Sequence, residues 1–376
     1  MSNPLRILEV VQSLEKGGRT TRFSDTVAGL RDQKIIVVPL CFSKPESWVN
    51  IVDLQIINKQ SGINWQLIFE IRKLLKDNKI NLIHAHCEFS QLYASIAGFS
   101  CGVKTVATFH RSDVTKYQPS LTNTLIRLFV SNYVAVSYNR LSLLTKNLKL
   151  PLNKCHVVHG GVVIDKKPTS ETINKARAEL KISPKQLVLL SLAHLGQIKG
   201  HQDTLTALSY IHQTSEAIHL YIAGDGADHE KKYLADLVSQ LKIKEKVTFL
   251  GQVNNAPQWL KACDIFIQPS IEEAFGLVFV EAGAKAKPVI ATMVGGIKEI
   301  IVSQETGLLV PPGSPQELKK ALVLLINSKA LRIQYGEQGY QRIAINFSLT
   351  NMINHYIEIF KGIVKDTRTA NHCRAT

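Results

Sequence analysis

Residues 264–284 read DIFIQPSIEEAFGLVFVEAGA, a stretch in which a short apolar run, a polar loop and a longer apolar run follow one another. The first run predicts a buried strand that ends at Gln268, and the run after Gly276 predicts a helix. Glu273 lies in the loop between them. A buried strand, a short loop and a helix in this order are typical of a parallel sheet whose two faces are covered by helices.

The same alternation runs through the whole chain, whose 376 residues are about twice the length of a usual domain. Apolar runs predict strands at 5–11, 34–40, 81–85, 103–108, 133–137 and 156–158, and again at 187–193, 218–223, 246–250, 264–268 and 288–291. A break rich in Gly, Pro and Lys at 160–186 separates the two sets and is typical of an interdomain linker.

This pattern predicts an α/β protein with two doubly wound, Rossmann-like domains that face each other across a cleft. We assign 1–163 to the first domain and 164–346 to the second. We assign 347–376 to a C-terminal helix that packs back on the first domain and ends in a frayed tail.

The chain is basic, with 45 Lys and Arg against 30 Asp and Glu, and residues 1–160 hold 20 of the basic and 10 of the acidic ones. Such an excess predicts an anionic partner. Nucleic acid is disfavoured because no basic and aromatic motif is present, and a nicotinamide enzyme because no G-x-G-x-x-G follows the first strand.

The sequence also indicates a compartment. No apolar run approaches the length of a membrane span, and six cysteines without a C-x-x-C pair indicate reduced thiols. We expect a cytoplasmic protein, either free or bound peripherally to the inner face of the cell membrane.

Candidate ligand-binding residues follow the strands, because open α/β folds bind ligands at the carboxyl edge of the sheet. Glu273 precedes the predicted helix and Glu281 lies about one turn inside it. The amides of Gly276, Leu277 and Val278 at the start of this helix suit a phosphate. The carboxylates suit sugar hydroxyl groups, which donate strong hydrogen bonds to them.

Three further strand ends carry candidate residues. Lys199 lies where the segment LSLAHLGQIKGHQD (190–203) predicts the start of a helix, and its charge suits a diphosphate leaving group. Gly17 and Gly18 follow the first strand and allow close backbone approach to an anion. His110 follows the strand at 103–108, where a structural role and a functional one are about equally supported.

A histidine pair, His84 and His86, follows another strand. Its spacing would suit a metal, but the sequence shows no third ligand at a suitable spacing, so we expect no metal there. Either histidine is also a candidate for the border of an acceptor site.

The segment from Pro269 to Ala282 resembles the Glu-x7-Glu motif of family-four glycosyltransferases, which are retaining enzymes of the GT-B fold. Ala274 stands where the family usually has Gly. The resemblance implies that Glu273 contacts hydroxyl groups of the donor sugar and that Glu281 contacts the donor ribose. It also implies that the amides from Phe275 to Val278 meet sugar and phosphate oxygens.

The family's diphosphate-binding pattern, G-R-L-x-x-x-K-G, is matched at Lys199 and departs at His194, which replaces Arg. Either His194 is protonated beside the diphosphate or another base such as Arg19 helps. Gly224 and Val253 follow strands where related enzymes bind the nucleotide.

The first domain shows weaker family likenesses. Gly17 and Gly18 resemble the loop beneath the donor phosphates, and His110 resembles a histidine that meets the donor sugar.

The resemblance therefore implies transfer of a sugar from a nucleotide-diphosphate sugar to a glycan or lipid-linked acceptor, in assembly of bacterial cell-surface polysaccharide or lipopolysaccharide. His110, Lys199 and Glu273 would be its catalytic residues. We expect no cofactor and no metal, because the chain has no D-x-D triplet.

Three questions stay open at this level. A non-catalytic GT-B-like protein that binds nucleotide sugars and a nucleotide-sugar epimerase on the same fold are the alternative functions. The basic helices predicted at 64–79 and 120–131 either rest on an anionic membrane or simply cover the sheet.

Overall fold

The computed structural model describes residues 4–15, 17–59, 62, 64–110, 118, 120–211 and 217–372, with side chains up to residue 365. The chain divides into two compact units. The first unit is formed by residues 1–161 together with 349–376, and the second by residues 162–348. The final segment of the chain thus belongs to the same unit as its beginning.

The described residues of the first unit form a seven-stranded sheet in the order β3-β2-β1-β4-β5-β6-β7, with parallel neighbours. Its strands are nearly continuous apolar runs because helices cover both faces of the sheet. They are β1 (Arg6–Val11), β2 (Ile36–Cys41), β3 (Gln55–Ile56), β4 (Leu82–Ala85), β5 (Lys104–Phe109), β6 (Asn132–Ala135) and β7 (Cys155–Val157).

In the part of this unit that the structure describes, five α-helices connect the strands, and side-chain caps begin three of them, α2, α4 and α5. The helix α2, for example, begins after Asn64, whose side chain accepts a hydrogen bond from the amide of Leu67 at 3.0 Å. The helices are α1 (Gly18–Asp32), α2 (Trp65–Asp77), α3 (Glu88–Ser100), α4 (Leu121–Phe129) and α5 (Tyr138–Asn147).

The second unit contains a six-stranded parallel sheet in the order β10-β9-β8-β11-β12-β13. Its strands are β8 (Leu187–Leu192), β9 (Ile218–Ala223), β10 (Val247–Gly251), β11 (Ile265–Gln268), β12 (Val289–Thr292) and β13 (Gly307–Val310). Its helices are α6 (Ser170–Glu179), α7 (His201–Ser209), α8 (Asp228–Gln240), α9 (Ala256–Ala262), α10 (Leu277–Ala284), α11 (Ile297–Ile300), α12 (Pro315–Asn327) and α13 (Lys329–Asn346).

The last helix, α14 (Leu349–His372), packs on α1 within the first unit. Its buried side chains recur at helical spacing, at Met352, Ile353, Tyr356, Phe360 and Ile363, and join the apolar core beneath α1. The helix continues to His372, beyond the predicted end near residue 364, because no proline or glycine interrupts it there. Part of the predicted frayed tail is therefore helical, and residues 373–376 lie outside the described residues.

The predicted strands all occur, with ends that differ from the prediction by at most two residues, and two short strands were missed. One is β3, which has only two residues, both exposed. The other is β13, a strand of four residues that lies beside a loop. Within the described residues, no helix combines the length and the low polarity that crossing a bilayer requires.

Candidate functional site

The carboxyl edge of the second unit's sheet carries an ion pair between two predicted catalytic residues. The neighbours β8 and β11 run parallel, so the loops that follow them meet. Lys199 Nζ lies 2.7 Å from Glu273 Oε2, and the two side chains are only 19% and 11% exposed. The other oxygen of Glu273 accepts a hydrogen bond from the amide of Ala274 at 3.1 Å. Each charge therefore holds the other in place in a partly desolvated setting.

Hydrogen bonds tie the two loops that carry this pair. The side-chain amide of Gln268, at the end of β11, donates to the carbonyl of Lys199, and its oxygen accepts from Ser191 Oγ at 2.6 Å. The amide of Ile271 donates to the carbonyl of Ile198 at 2.7 Å. These hydrogen bonds tie the loops of Lys199 and Glu273 to each other and to the ends of β8 and β11.

Two glycines, Gly200 and Gly295, allow other segments of backbone to approach the loop that carries Glu273. Gly200 has φ +70°, and a Cβ there would overlap the carbonyl oxygen of Pro269. Gly295 has φ +51°, and a Cβ there would overlap the carbonyl oxygen of Glu273. This supporting role of Gly295 could not be predicted from local pattern, because the residue that it contacts lies 22 positions away along the chain.

The helix α10 begins at this pair, as its sequence predicts. Gly276 caps it, and Leu277 and Val278 form its first turn, where amides have no intrahelical partner and the helix dipole favours an anion. Glu281 lies in the second turn and is half-buried. The side chain of Phe275 packs against Phe347 in the core, so this residue offers a ligand its backbone.

His194 follows β8, and its side chain is 63% exposed. Its Nδ1 accepts a hydrogen bond from the amide of Gly196 at 2.9 Å, so in this arrangement the ring proton is on Nε2. That nitrogen lies 3.9 Å from Glu230 Oε2. The structure thus shows a hydrogen-bond donor at the position where the family has a fixed positive charge.

The surroundings of Lys199 differ from the prediction in one respect. The α-helix begins at His201, two residues after Lys199, because a short 3₁₀ turn at Gln197–Lys199 and the left-handed Gly200 come first. The side chain of Lys199 therefore projects from the loop that reaches Glu273.

The remaining predicted residues of the second unit lie along the same sheet edge. Gly224, directly after β9, has φ +150°, and a Cβ there would overlap the carbonyl oxygen of Ala193. Its amide donates to the carbonyl of Gly251 at 2.9 Å. Val253 follows β10, an outer strand of the sheet, and is half-buried.

The first unit presents a separate cavity at its own carboxyl edge. The cavity has a volume of about 140 Å³, and His110 borders it at the end of β5. Gly17 and Gly18 lie at the start of α1, where an added Cβ would meet no atom within 4 Å. Arg19 follows them. The cavity is lined by Arg19, His86, Cys87, Glu88, Gln91, Thr108, Phe109 and His110.

Behind this cavity lies a buried cluster that contains Glu9. Its carboxylate oxygens lie 2.9 Å from His84 Nδ1 and 2.7 Å from His86 Nε2. His86 Nδ1 in turn lies 2.9 Å from His110 Nε2. Burial raises the pKa of Glu9, lowers that of His86 to about 4, and lowers those of His84 and His110 well below the usual value.

Glu9 was not predicted as a partner of the histidines. The available signal was a carboxylate in the middle of an apolar strand, RILEVV, which needs a buried partner. The ligand atoms of Glu9, His84 and His86 lie within 4.8 Å of one another, so a third potential metal ligand does exist. Each ring nitrogen of both histidines, however, already lies at hydrogen-bond distance from a partner.

Family models match both units. Residues 172–342 match the model described as Glycosyl transferases group 1, and residues 17–166 match the one described as Glycosyltransferase Family 4. The chain belongs to glycosyltransferase family 4. It is a glycosyltransferase, and the two matches together span most of its length.

Individual relatives agree with this assignment. The chain is 26% identical to N-acetyl-alpha-D-glucosaminyl L-malate synthase of Bacillus anthracis, over 80% of each protein. It is 25% identical to the lipopolysaccharide core biosynthesis glycosyltransferase LpsE of Rhizobium meliloti, over 51% of this chain and 54% of that protein.

A solved structure confirms the fold class. The crystal structure of HepE (Alr3699) of Anabaena in complex with UDP matches with a TM-score of 0.85 and 21% identity, over 95% of this chain and all of that one. A further structure of HepE contains UDP-glucose. The predicted GT-B fold, with two Rossmann-like parallel sheets, is confirmed.

Replacement of Gly295 by alanine tests how Glu273 is positioned. The added methyl group would overlap the carbonyl of Glu273, so the Glu273 backbone must move, and displacement of a reacting group by about 1 Å costs up to ~100-fold in rate. We expect Gly295→Ala to lower the glycosyl transfer rate by at least about tenfold. Gly313→Ala is the matched control, because Gly313 has φ +65° and open space around it. Equal rates for the two variants would contradict this role of Gly295.

Proposed function

We propose that this glycosyltransferase moves a sugar from a nucleotide-diphosphate sugar to a glycan or lipid-linked acceptor, with retention of the anomeric configuration and without a metal. The observation that carries the proposal is the Lys199–Glu273 pair at the start of α10. It combines a cation and helix amides, which suit a diphosphate, with a carboxylate, which suits sugar hydroxyl groups.

The donor is assigned to the second unit. Lys199 and the amides of Leu277 and Val278 would bind the diphosphate, Glu273 the sugar and Glu281 the ribose. Gly224 and Val253 border the space assigned to the nucleotide. The complexes of HepE with UDP and UDP-glucose support a nucleotide-sugar donor.

The proposed reaction breaks the bond between the anomeric carbon and the diphosphate oxygen and forms a bond from that carbon to an acceptor hydroxyl oxygen. The hydroxyl proton passes to the departing phosphate oxygen. As the bond breaks, one negative charge develops on the diphosphate, and Lys199 together with the start of α10 offsets it until the proton arrives. This arrangement supplies the charge that a metal ion supplies elsewhere, and no covalent nucleophile is assigned.

His194 would donate a hydrogen bond to the diphosphate through Nε2. Because its Nδ1 accepts from the amide of Gly196, we favour a hydrogen-bonding role over a second fixed charge. His110 is assigned to the donor sugar, and Gly17 and Gly18 to the approach of an anionic group.

The acceptor is assigned to the first unit, whose charge and surface suit a membrane-bound substrate. Trp65 and Phe69 on α2 are 64% and 65% exposed, and Lys73 and Lys76 on the same helix are exposed as well. The helix α4, which like α2 packs against α3, exposes Leu121 and Leu128. We therefore propose a cytoplasmic enzyme that binds the inner face of the membrane, in cell-surface polysaccharide assembly. A role in cell-surface polysaccharide assembly is supported by the similarity to LpsE, a lipopolysaccharide core biosynthesis glycosyltransferase.

The central test is loss of transfer on removal of either charge of the pair. A thermal-shift screen against UDP-, GDP- and ADP-sugars identifies the donor, and turnover is then measured with and without EDTA. Lys199→Ala and Glu273→Ala should each lower kcat by ~10²- to 10³-fold. Lys320→Ala, in an exposed pair with Glu317, should leave it unchanged.

The outcomes of this test separate the alternatives. Unchanged turnover in both site variants would refute the site, loss of activity with EDTA would refute metal independence, and an inverted anomer by NMR would refute retention. Donor binding without transfer to any acceptor would favour a binding protein. Recovery of an epimerised nucleotide sugar would favour an epimerase.

Vesicle flotation tests the proposed membrane surface. Each lysine near an anionic surface contributes about 1 kcal/mol, so the Lys73→Glu/Lys76→Glu double variant should bind anionic vesicles at least ~30-fold more weakly at low salt. The Lys319→Glu/Lys320→Glu variant on α12 is the matched control, with the same charge change in the second unit. Absence of wild-type binding, or equal weakening by both double variants, would contradict the proposal.

A further inference from the structure

The cavity at the carboxyl edge of the first sheet is bordered by a buried side chain with an unsatisfied acceptor. This residue is Gln91 on α3, which is only 1% exposed. Its Nε2 donates to the carbonyl of Thr108 at 2.9 Å, and because a carbonyl oxygen only accepts, this contact fixes the orientation of the amide. Its Oε1 is buried and has no hydrogen-bond partner within the described residues. An acceptor in this state needs a donor that a ligand or a water molecule supplies.

The same cavity is bordered by a cation, Arg19, in the first turn of α1. Its Nη2 donates to Ser13 Oγ at 3.0 Å. Its Nε is buried without a hydrogen-bond partner, and in the part of the chain that the structure describes no carboxylate pairs with the guanidinium. The helix α1 also begins without a side-chain cap, so its dipole adds to the positive field. This end of the cavity therefore favours a phosphate or carboxylate group, whose oxygens a guanidinium binds well.

The other titratable groups at the cavity narrow the ligand further. Burial lowers the pKa of His86 to about 4 and that of His110 well below its usual value, so neither ring adds a positive charge at neutral pH. Glu88, in the first turn of α3, also borders the cavity and is half-buried. Its negative charge disfavours a bare anion, whereas hydroxyl groups donate hydrogen bonds to a carboxylate. The lining thus suits an anionic group that stands beside a hydroxyl group.

We propose that Arg19 and Gln91 form an acceptor subsite that binds a phosphate or carboxylate group next to a hydroxyl group. Arg19 donates to the anion through Nε, and Gln91 Oε1 accepts a hydrogen bond from the hydroxyl group. The cavity has a volume of about 140 Å³, and because one water molecule needs only ~10–15 Å³, it admits a small polar group.

The subsite deepens the proposed function and rests on it, because that function assigns the acceptor to the first unit. His110, which is assigned to the donor sugar, borders the same cavity. An acceptor held by Arg19 and Gln91 would therefore have its hydroxyl groups near the residue that contacts the sugar. The subsite also gives the acceptor a chemical class, an anionic group beside a hydroxyl group.

Nitrogen NMR of the full chain reads this subsite at the Nε signal of Arg19, which is assigned by its loss in Arg19→Met. Uridine diphosphate is kept at saturation, so that phosphate ligands do not occupy the donor site of the second unit. The probe is glycerol 3-phosphate, which carries hydroxyl groups beside its phosphate, and methyl phosphate is the matched probe that lacks them. We expect glycerol 3-phosphate to shift the Arg19 signal and to bind at least ~3-fold more tightly than methyl phosphate, because it gains a hydrogen bond.

Two variants and a matched control separate the two contacts, with affinities measured by calorimetry. Arg19→Met should weaken binding of glycerol 3-phosphate by ~10- to 100-fold, because a hydrogen bond to a charged group is lost. Gln91→Met should weaken it by ~3- to 10-fold and leave methyl phosphate unchanged, whereas a general disturbance of the cavity would weaken both probes. Arg127→Met removes the same charge from an exposed position on α4 of the same unit and should change neither affinity.

Two further probes identify the source of the anionic group. Glycerate replaces the phosphate by a carboxylate, and dihexanoyl phosphatidylglycerol, used below its micelle concentration, presents the phosphate as part of a lipid headgroup. Tighter binding of glycerate than of glycerol 3-phosphate would indicate a carboxylate acceptor, and tighter binding of the lipid would indicate a membrane-borne one.

Several results would overturn the proposal. No shift of the Arg19 signal with any of the four probes would mean that water alone satisfies Arg19 and Gln91. A shift caused by uridine diphosphate before any probe is added would assign Arg19 to the donor. Equal binding of glycerol 3-phosphate and methyl phosphate by the wild type would remove the role of Gln91, even if Gln91→Met does not fold. Absence of sugar transfer would contradict the proposed function, whereas binding at Arg19 is measured without turnover.

Discussion

The parallel direction of neighbouring strands is the constraint on which the candidate sites depend. In a parallel sheet all carboxyl ends lie at one edge, so loops far apart in sequence meet there. Lys199 and Glu273 meet in this way because β8 and β11 are neighbours in the second sheet. His86 and His110 meet because β4 and β5 are neighbours in the first sheet.

The two units use different electrostatics at these edges. In the second unit the opposite charges of Lys199 and Glu273 neutralise each other while remaining partly open to solvent, which suits an ionic ligand that can share the cation. In the first unit the buried carboxyl group of Glu9 lies at hydrogen-bond distance from His84 and His86, and His86 and His110 line the cavity. The first arrangement presents charges, and the second presents imidazole rings whose pKa is lowered by burial.

The sequence predicted what depends on local pattern. The loop with Glu273 and the helix after Gly276 were read from neighbouring residues, and the fold followed from alternating strands and helices. Contacts between residues far apart in the sequence could not be predicted from local pattern. Glu9 is 75 residues from His84, and Gly295 supports Glu273 only through backbone packing. His194 could be recognised as a departure from the family's pattern, but its hydrogen bond with the amide of Gly196 depends on the conformation of the loop.

The most direct measurement is a crystal structure of the chain with bound uridine diphosphate, the nucleotide present in the HepE complexes. The account predicts a phosphate oxygen within about 3 Å of Lys199 Nζ and of the Leu277 or Val278 amide. It also predicts the ribose at Glu281. A diphosphate bound elsewhere in the second unit, with the Lys199–Glu273 pair undisturbed, would contradict it.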